Sequence, residues 1–120
     1  MISKHGAEHY RWGAGCDGWH LLKADVLSVI HERMPPGTAE ERHLHRASRQ
    51  FFFVLFGELV LETDGGREVL REHEGVEVAP GVSHQVSNES GVAAEFLVVS
   101  QPPSHGDRTP ASRAYRSTST

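Results

Sequence analysis

Apolar residues along this chain come in short runs, and turn signals break them roughly every 8–12 residues. Trp19–Ala24 and Val26–Met34 read as strands. The second alternates, with Val26, Ser28 and Ile30 set against Leu27, Val29 and His31. Pro35-Pro36-Gly37 stops it. Phe51–Phe56 is an unbroken apolar stretch, and Glu58–Thr63 resumes the alternation after Gly57. Asp64-Gly65-Gly66 is a hairpin signal. Short strands follow at Arg67–Arg71 and Val76–Ala79, then the Pro80-Gly81 turn, then His84–Asn88 and Ala93–Ser100. No segment carries a helical period. The pattern predicts an all-β sandwich or small barrel.

Phe51–Phe56 is apolar on both faces. A strand with one solvated face alternates. One face is therefore expected to line the barrel interior, and the other to pack on a second layer or a second subunit. The expected assembly is a homodimer, the commonest symmetric oligomer. From Pro102 onward the composition turns to Pro, Ser, Thr and Arg. The expected organisation is one barrel over 1–101 and a polar C-terminal tail over 102–120, running out as an arm.

The 120 residues suffice for one domain, and 38% hydrophobic with 23% charged residues is ordinary for a soluble protein. The formal net charge of −4 argues against a nucleic-acid partner. Lys and Arg are scattered, with Arg108, Arg113 and Arg116 the nearest thing to a basic cluster. Cys16 is the single cysteine, so no internal disulfide forms and a reducing cytoplasm is the expected compartment. No apolar run follows Met1-Ile2-Ser3-Lys4-His5-Gly6, and none approaches the roughly 18 residues of a membrane helix. No membrane contact is expected.

His43-Leu44-His45 is where chemistry enters. Residues two apart on a strand share a face, so both imidazoles point the same way. Gln50 opens the next apolar strand and His84 follows the Pro80-Gly81 turn. A β-barrel brings inward side chains from such separate segments to one point. His43, His45, Gln50 and His84 are thus a candidate site for one divalent transition metal ion: Fe, Ni, Mn, Zn or Cu.

These residues carry a family resemblance. The first cupin motif is Gly, five residues, His-x-His, three or four residues, Glu, six residues, Gly. Here Gly37, His43-Leu44-His45, Gln50 and Gly57 match every spacing, with Gln in place of Glu. The second motif is Gly, five residues, Pro-x-Gly, two residues, His, three residues, Asn. Gly81, His84 and Asn88 match it; Ala79 stands for the Pro and His73 for the Gly, with Pro80 displaced by one. The chain therefore resembles the cupins, with its motif core over 37–88. Its ends, Cys16-Asp17-Gly18-Trp19 and Ser100–Arg108, are similar to those of small single-domain cupins without assigned function. The resemblance implies a double-stranded β-helix, or jelly roll, that binds a metal and a small-molecule ligand. If Gln50 and His84 face inward, so do Phe52, Val54, Val86, Phe96 and Val98, as an apolar pocket wall.

A glutamine ligand is neutral and is no base. Three imidazoles and an amide leave a divalent ion its full charge, which favours an anionic or chelating ligand. The leading expectation is a metal-dependent enzyme on a small organic anion, dioxygenase-like or working through an enolate. Its alternative is a non-catalytic small-molecule-binding or sensing barrel. With no carboxylate ligand and no internal base evident, the substrate is expected to arrive ionised. His73 is expected in an exposed turn, His20 and His31 in structural hydrogen bonds, Arg49 in a surface ion pair, and Cys16 as an inert thiol. Trp12 and Trp19 are expected over one barrel end.

Overall fold

The computed structural model describes residues 1–112, so Arg113 and Arg116 of the sparse basic group lie outside the described residues. Within them every regular element is a strand: β1 (Glu8–Trp12), β2 (Cys16–Lys23), β3 (Ser28–Met34), β4 (His43–Leu44), β5 (Arg49–Phe56), β6 (Leu59–Thr63), β7 (Gly66–Leu70), β8 (Gly75–Val78), β9 (His84–Ser87), β10 (Ala94–Gln101) and β11 (Thr109–Pro110). They form two antiparallel sheets. One runs β1-β2-β3-β10-β5-β8 and the other β11-β4-β9-β6-β7. This is the all-β architecture that the alternation predicted, in the jelly-roll form that the family resemblance implied. No helix among the described residues is long and apolar enough to cross a membrane.

The inner faces make one core. Phe52 and Val54 from β5, Phe96 and Val98 from β10, and Leu59 and Leu61 from β6 are all buried. Each such side chain contributes about 1.5–3 kcal/mol by leaving water. The register places Phe52 opposite Val98 and Val54 opposite Phe96, so alternate positions of β5 and β10 point inward together. On the outer face of β5, Phe51 and Phe53 stack at 6.2 Å and His73 lies against Phe53. Phe51 remains exposed there, and Phe56 is exposed at the strand's end.

Two positions in the family motifs have visible backbone reasons. Gly57 has φ +80°, and a Cβ there would stand 2.5 Å from the Ala93 carbonyl oxygen. His73, where the motif has glycine, has φ 65°, the left-handed conformation that glycine adopts without strain. Asn88 ties three segments: its amide donates to the Met34 and Val92 carbonyls, and its oxygen accepts from Ser90.

The chain after Gln101 turns back over the barrel. β11 pairs with β4, and the Ser48 hydroxyl donates to the Pro102 carbonyl at 2.6 Å. The Ala111 N–H donates to the Arg42 carbonyl. Residues 102–112 thus form a strap across the mouth beside the His pair.

Candidate metal centre

β4, the residue just after it and β9 carry the three imidazoles. His43 stands directly opposite His84 in the antiparallel register, and His45 lies two residues on from His43. The Gly81 N–H donates to the His45 carbonyl at 2.7 Å and ties the turn before β9 to this strand. All three residues are buried, and their candidate donor atoms lie within 4.8 Å of one another.

Each imidazole is oriented by its other nitrogen. His43 Nδ1 meets the Glu41 carbonyl at 2.8 Å and His84 Nδ1 meets the Val82 carbonyl at 3.0 Å. His45 Nδ1 meets the Asp107 carbonyl in the strap. A carbonyl only accepts, so Nδ1 carries the hydrogen in all three and Nε2 presents a lone pair. The lone pairs converge. His43 Nε2 and His45 Nε2 are 3.1 Å apart, and His84 Nε2 is buried with no hydrogen-bond partner. Burial, foremost, depresses the His43 pKa to about 3 and also lowers that of His84, so both are neutral at pH 7.

Gln50 approaches from the facing sheet. It pairs with Ser100 across β5 and β10, and its amide nitrogen donates to the Ser100 hydroxyl at 3.1 Å. That bond commits the nitrogen and frees the oxygen, which is buried without a partner. Gln50 lines the same cavity as His43 and His45. Three imidazole lone pairs form a donor set that fits a borderline divalent transition metal, and Gln50, with its unpaired amide oxygen, lines the cavity beside two of them.

That cavity has a volume of about 180 Å³. Phe52 and Val98 line it with Ile30 and Trp12. Val54, Val86 and Phe96 instead sit in the hydrophobic core. The cavity also holds groups that the sequence reading did not assign to it: Tyr10, Glu32, Glu40 and Arg108. Glu40 Oε2 accepts from the Val86 N–H at 3.0 Å and lies 3.8 Å from His43 Nδ1. Burial and the neighbouring Glu32 push the Glu40 carboxyl up to about 8. Burial likewise pushes Glu32 up to about 7, while the Tyr10 hydroxyl, donating to Glu32 Oε2 at 3.0 Å, opposes the rise. The expectation that the interior lacks a base is therefore corrected: two carboxyls line the cavity. Glu32 was legible, since it continues the Ser28, Ile30 face of β3. Arg108 was not, because the strap's return path has no local signal.

The remaining expectations resolve individually. Arg49 pairs with Glu77 at 3.3 Å on the surface, and Cys16 is buried. His31 bonds Glu95 at 2.7 Å, whereas His20 packs against Tyr10 and its buried Nδ1 has no partner. Trp12 lines the cavity, but Trp19 lies on the other face of its sheet, packed against His9 and His31.

A family model described as a cupin domain matches residues 30–100. The chain belongs to the cupin family. Over 85 residues it is 25% identical to an oxalate-binding protein of Thermotoga maritima, covering 67% of this chain and 70% of that one. Its fold superposes on a structure described as a predicted oxalate decarboxylase from Thermotoga maritima, with a TM-score of 0.77 and 21% identity over 86% of this chain and 99% of the other. It also superposes on the polyketide cyclase RemF from Streptomyces resistomycificus, with a TM-score of 0.77 and 19% identity over 98% of this chain and 87% of the other. At these identities the two structures speak for the fold.

Proposed function

We propose that this protein is a metal-dependent enzyme acting on a small anionic or chelating organic molecule, through enolate or dioxygenase-like chemistry. One observation carries the reading: neutral donors from both sheets converge on a small cavity that also holds ionisable groups. His43, His45 and His84 would hold the metal through Nε2, and Gln50 through its amide oxygen. A bound divalent ion would act as a Lewis acid toward a substrate oxygen. The chain's own residues supply the rest. The carbonyls of Glu41, Val82 and Asp107 fix the imidazole tautomers. Phe52, Ile30 and Val98 exclude water from one side of the cavity. Arg108 places a fixed positive charge at its rim and donates to the Glu41 carbonyl at 3.2 Å. The cavity is smaller than the roughly 300–1,000 Å³ of sites for drug-sized ligands, so the substrate is small.

Metal content by mass spectrometry tests this reading. The purified chain should carry or take up near one equivalent of Fe, Ni, Mn, Cu or Zn, and His43→Ala should not. Gln50→Ala should bind more weakly. The loaded protein should bind a catecholate or β-diketonate. No metal after incubation with each ion overturns the proposal. The oxalate-binding relative favours a second reading, a barrel that holds a small carboxylate without turning it over. A ligand recovered chemically unchanged after prolonged incubation would select it. The exposed Phe51, stacked on Phe53, supports a homodimer through the outer face of β5, which sedimentation would test.

A further inference from the structure

Tyr10, Gly18 and Glu32 lie in one row across three strands. Tyr10 is the register partner of Gly18, and Gly18 is the register partner of Glu32. The Tyr10 hydroxyl nevertheless reaches Glu32 Oε2, spanning the whole width of β2. It does so because residue 18 has no side chain. A Cβ on Gly18 would stand 2.2 Å from the Tyr10 ring carbon that bears the hydroxyl, and 2.5 Å from the oxygen itself. The chain thus leaves a gap in an inward-facing row and fills it with a phenol aimed at a carboxyl. Both ends of that pair line the cavity with His43, His45 and Gln50.

From this geometry we infer that Glu32, held by Tyr10 across Gly18, is the proton-transfer residue of the cavity, acting on small carbon acids in which a carboxylate adjoins a carbonyl. The inference rests on the metal-dependent reading above and names its substrate class. The carboxylate of such a substrate complements Arg108. Glu32 takes a proton from the carbon next to the carbonyl. The C–H bond breaks, its electron pair stays on the substrate as an enolate, and an O–H bond forms at Glu32. Return of the proton to carbon regenerates both, with no oxidant or reductant consumed.

The groups facing Glu32 are Tyr10 from β1, Cys16 from β2, Glu40 from the segment before β4, and Arg108 from the strap. Its partner on β10 is the apolar Phe96. Burial in this setting brings its pKa to about 7, where the carboxyl exchanges protons readily at neutral pH. Tyr10 donates rather than accepts, because burial and the Glu32 charge hold the phenol far above its ordinary pKa.

Solvent exchange of the pyruvate methyl protons, followed by proton NMR in D₂O on the metal-supplemented full chain, tests the assignment. Wild type should exchange faster than buffer, with a rate that rises with pH through the ionisation of Glu32. Glu32→Gln should lose about 100-fold or more, the scale of general-base catalysis. Tyr10→Phe removes a bond that favours the ionised carboxyl, so the midpoint of its pH profile should move up. Gly18→Ala, which displaces the phenol, should reproduce that shift. Exchange by Glu32→Gln at the wild-type rate overturns the inference, as does a wild-type rate no faster than buffer. Metal content measured on the same samples keeps the two readings apart. A metal-loaded wild type without exchange sinks the role of Glu32 alone, and a protein without metal sinks the reading beneath it.

Discussion

His43 Nε2 and His45 Nε2 face each other at 3.1 Å, and each ring has its Nδ1 turned to a backbone carbonyl. With both hydrogens on Nδ1, this is a meeting of two lone pairs rather than a hydrogen bond. Adding the partnerless Nε2 of His84 concentrates three acceptors in a buried space without a donor. Such an arrangement is costly unless a cation sits among them or one ring abandons its carbonyl. All three rings keep their carbonyl bonds, an arrangement suited to a cation among the Nε2 atoms.

Metal should therefore stabilise the fold. Free metal at about 1,000 times its dissociation constant contributes about 4 kcal/mol by mass action. A chelator should lower the melting temperature, and titration with the ion should restore it. His84→Ala should remove that dependence. Acid sharpens the test in chelated protein. His43 has a folded-state pKa depressed to about 3, below the ordinary value of 6.5, so the unfolded chain takes up the proton first. Its contribution to stability is complete above about pH 6.5 and is lost as pH falls toward 3. Urea titrations of apoprotein between pH 4 and 7 read that slope, which should be shallower in His43→Asn.

Gln50→Glu asks whether the amide oxygen is a ligand. The substitution keeps the shape and adds a negative charge beside the three imidazoles. Ser100 can rotate its hydroxyl to donate to the new carboxylate as readily as it now accepts. Metal affinity should rise by about tenfold or more, that is by about 1.4 kcal/mol. The apoprotein should lose stability, since a third acidic group then faces Glu32 and Glu40. Isothermal titration with Zn²⁺ or Ni²⁺ decides. An unchanged dissociation constant would place Gln50 outside the ligand set.

How far the site was readable depended on whether its geometry is local. The shared face of His43 and His45 follows from their two-residue spacing, and Gly57 announces a turn that tolerates no Cβ. The alternation of Phe52, Val54, Phe96 and Val98 placed them inward, but which of them touch the cavity depends on position along the barrel axis. Phe52 and Val98 do, while Val54 and Phe96 lie in the core. Asp107 and Arg108 were harder. They reach the site through a chain reversal after Gln101, and their bonds to the segment 41–48 span some 60 residues of sequence. Tyr10 was hardest, because its reach depends on a missing side chain on the neighbouring strand.

Asp107 clamps the strap. Its carboxylate accepts the N–H groups of Arg46, Ala47 and Ser48 at 2.8 to 2.9 Å, and those bonds hold its pKa below the usual range. Its own carbonyl orients His45. Asp107→Ala keeps the carbonyl but releases the clamp. The expected result is faster amide exchange at residues 46–48 and a loss of metal affinity near the low end of the 10–100-fold typical of groups that orient a ligand. Hydrogen exchange and metal titration on one sample would show both. Unchanged exchange at 46–48 would remove the clamp from the account.

Glu32 gives stability a pH dependence of opposite sign to that of His43. Its folded-state pKa is raised to about 7 from 4.5, so the folded protein retains a proton that the unfolded chain gives up. The contribution is fully present below about pH 4.5, declines as pH rises and levels off above about 7. The whole span is on the order of 3 kcal/mol. Glu40, raised to about 8, extends the decline upward, because the two carboxyls oppose each other's ionisation. Glu32→Gln cannot ionise and removes the first part of the slope. The stability of wild type relative to this variant should therefore fall steadily from pH 4.5 to about 7 in chelated protein. Denaturant unfolding at half-unit pH steps measures it. A flat difference would mean that Glu32 is as well solvated in the folded barrel as in the unfolded chain. The cavity would then be wetter at Tyr10 than its lining implies.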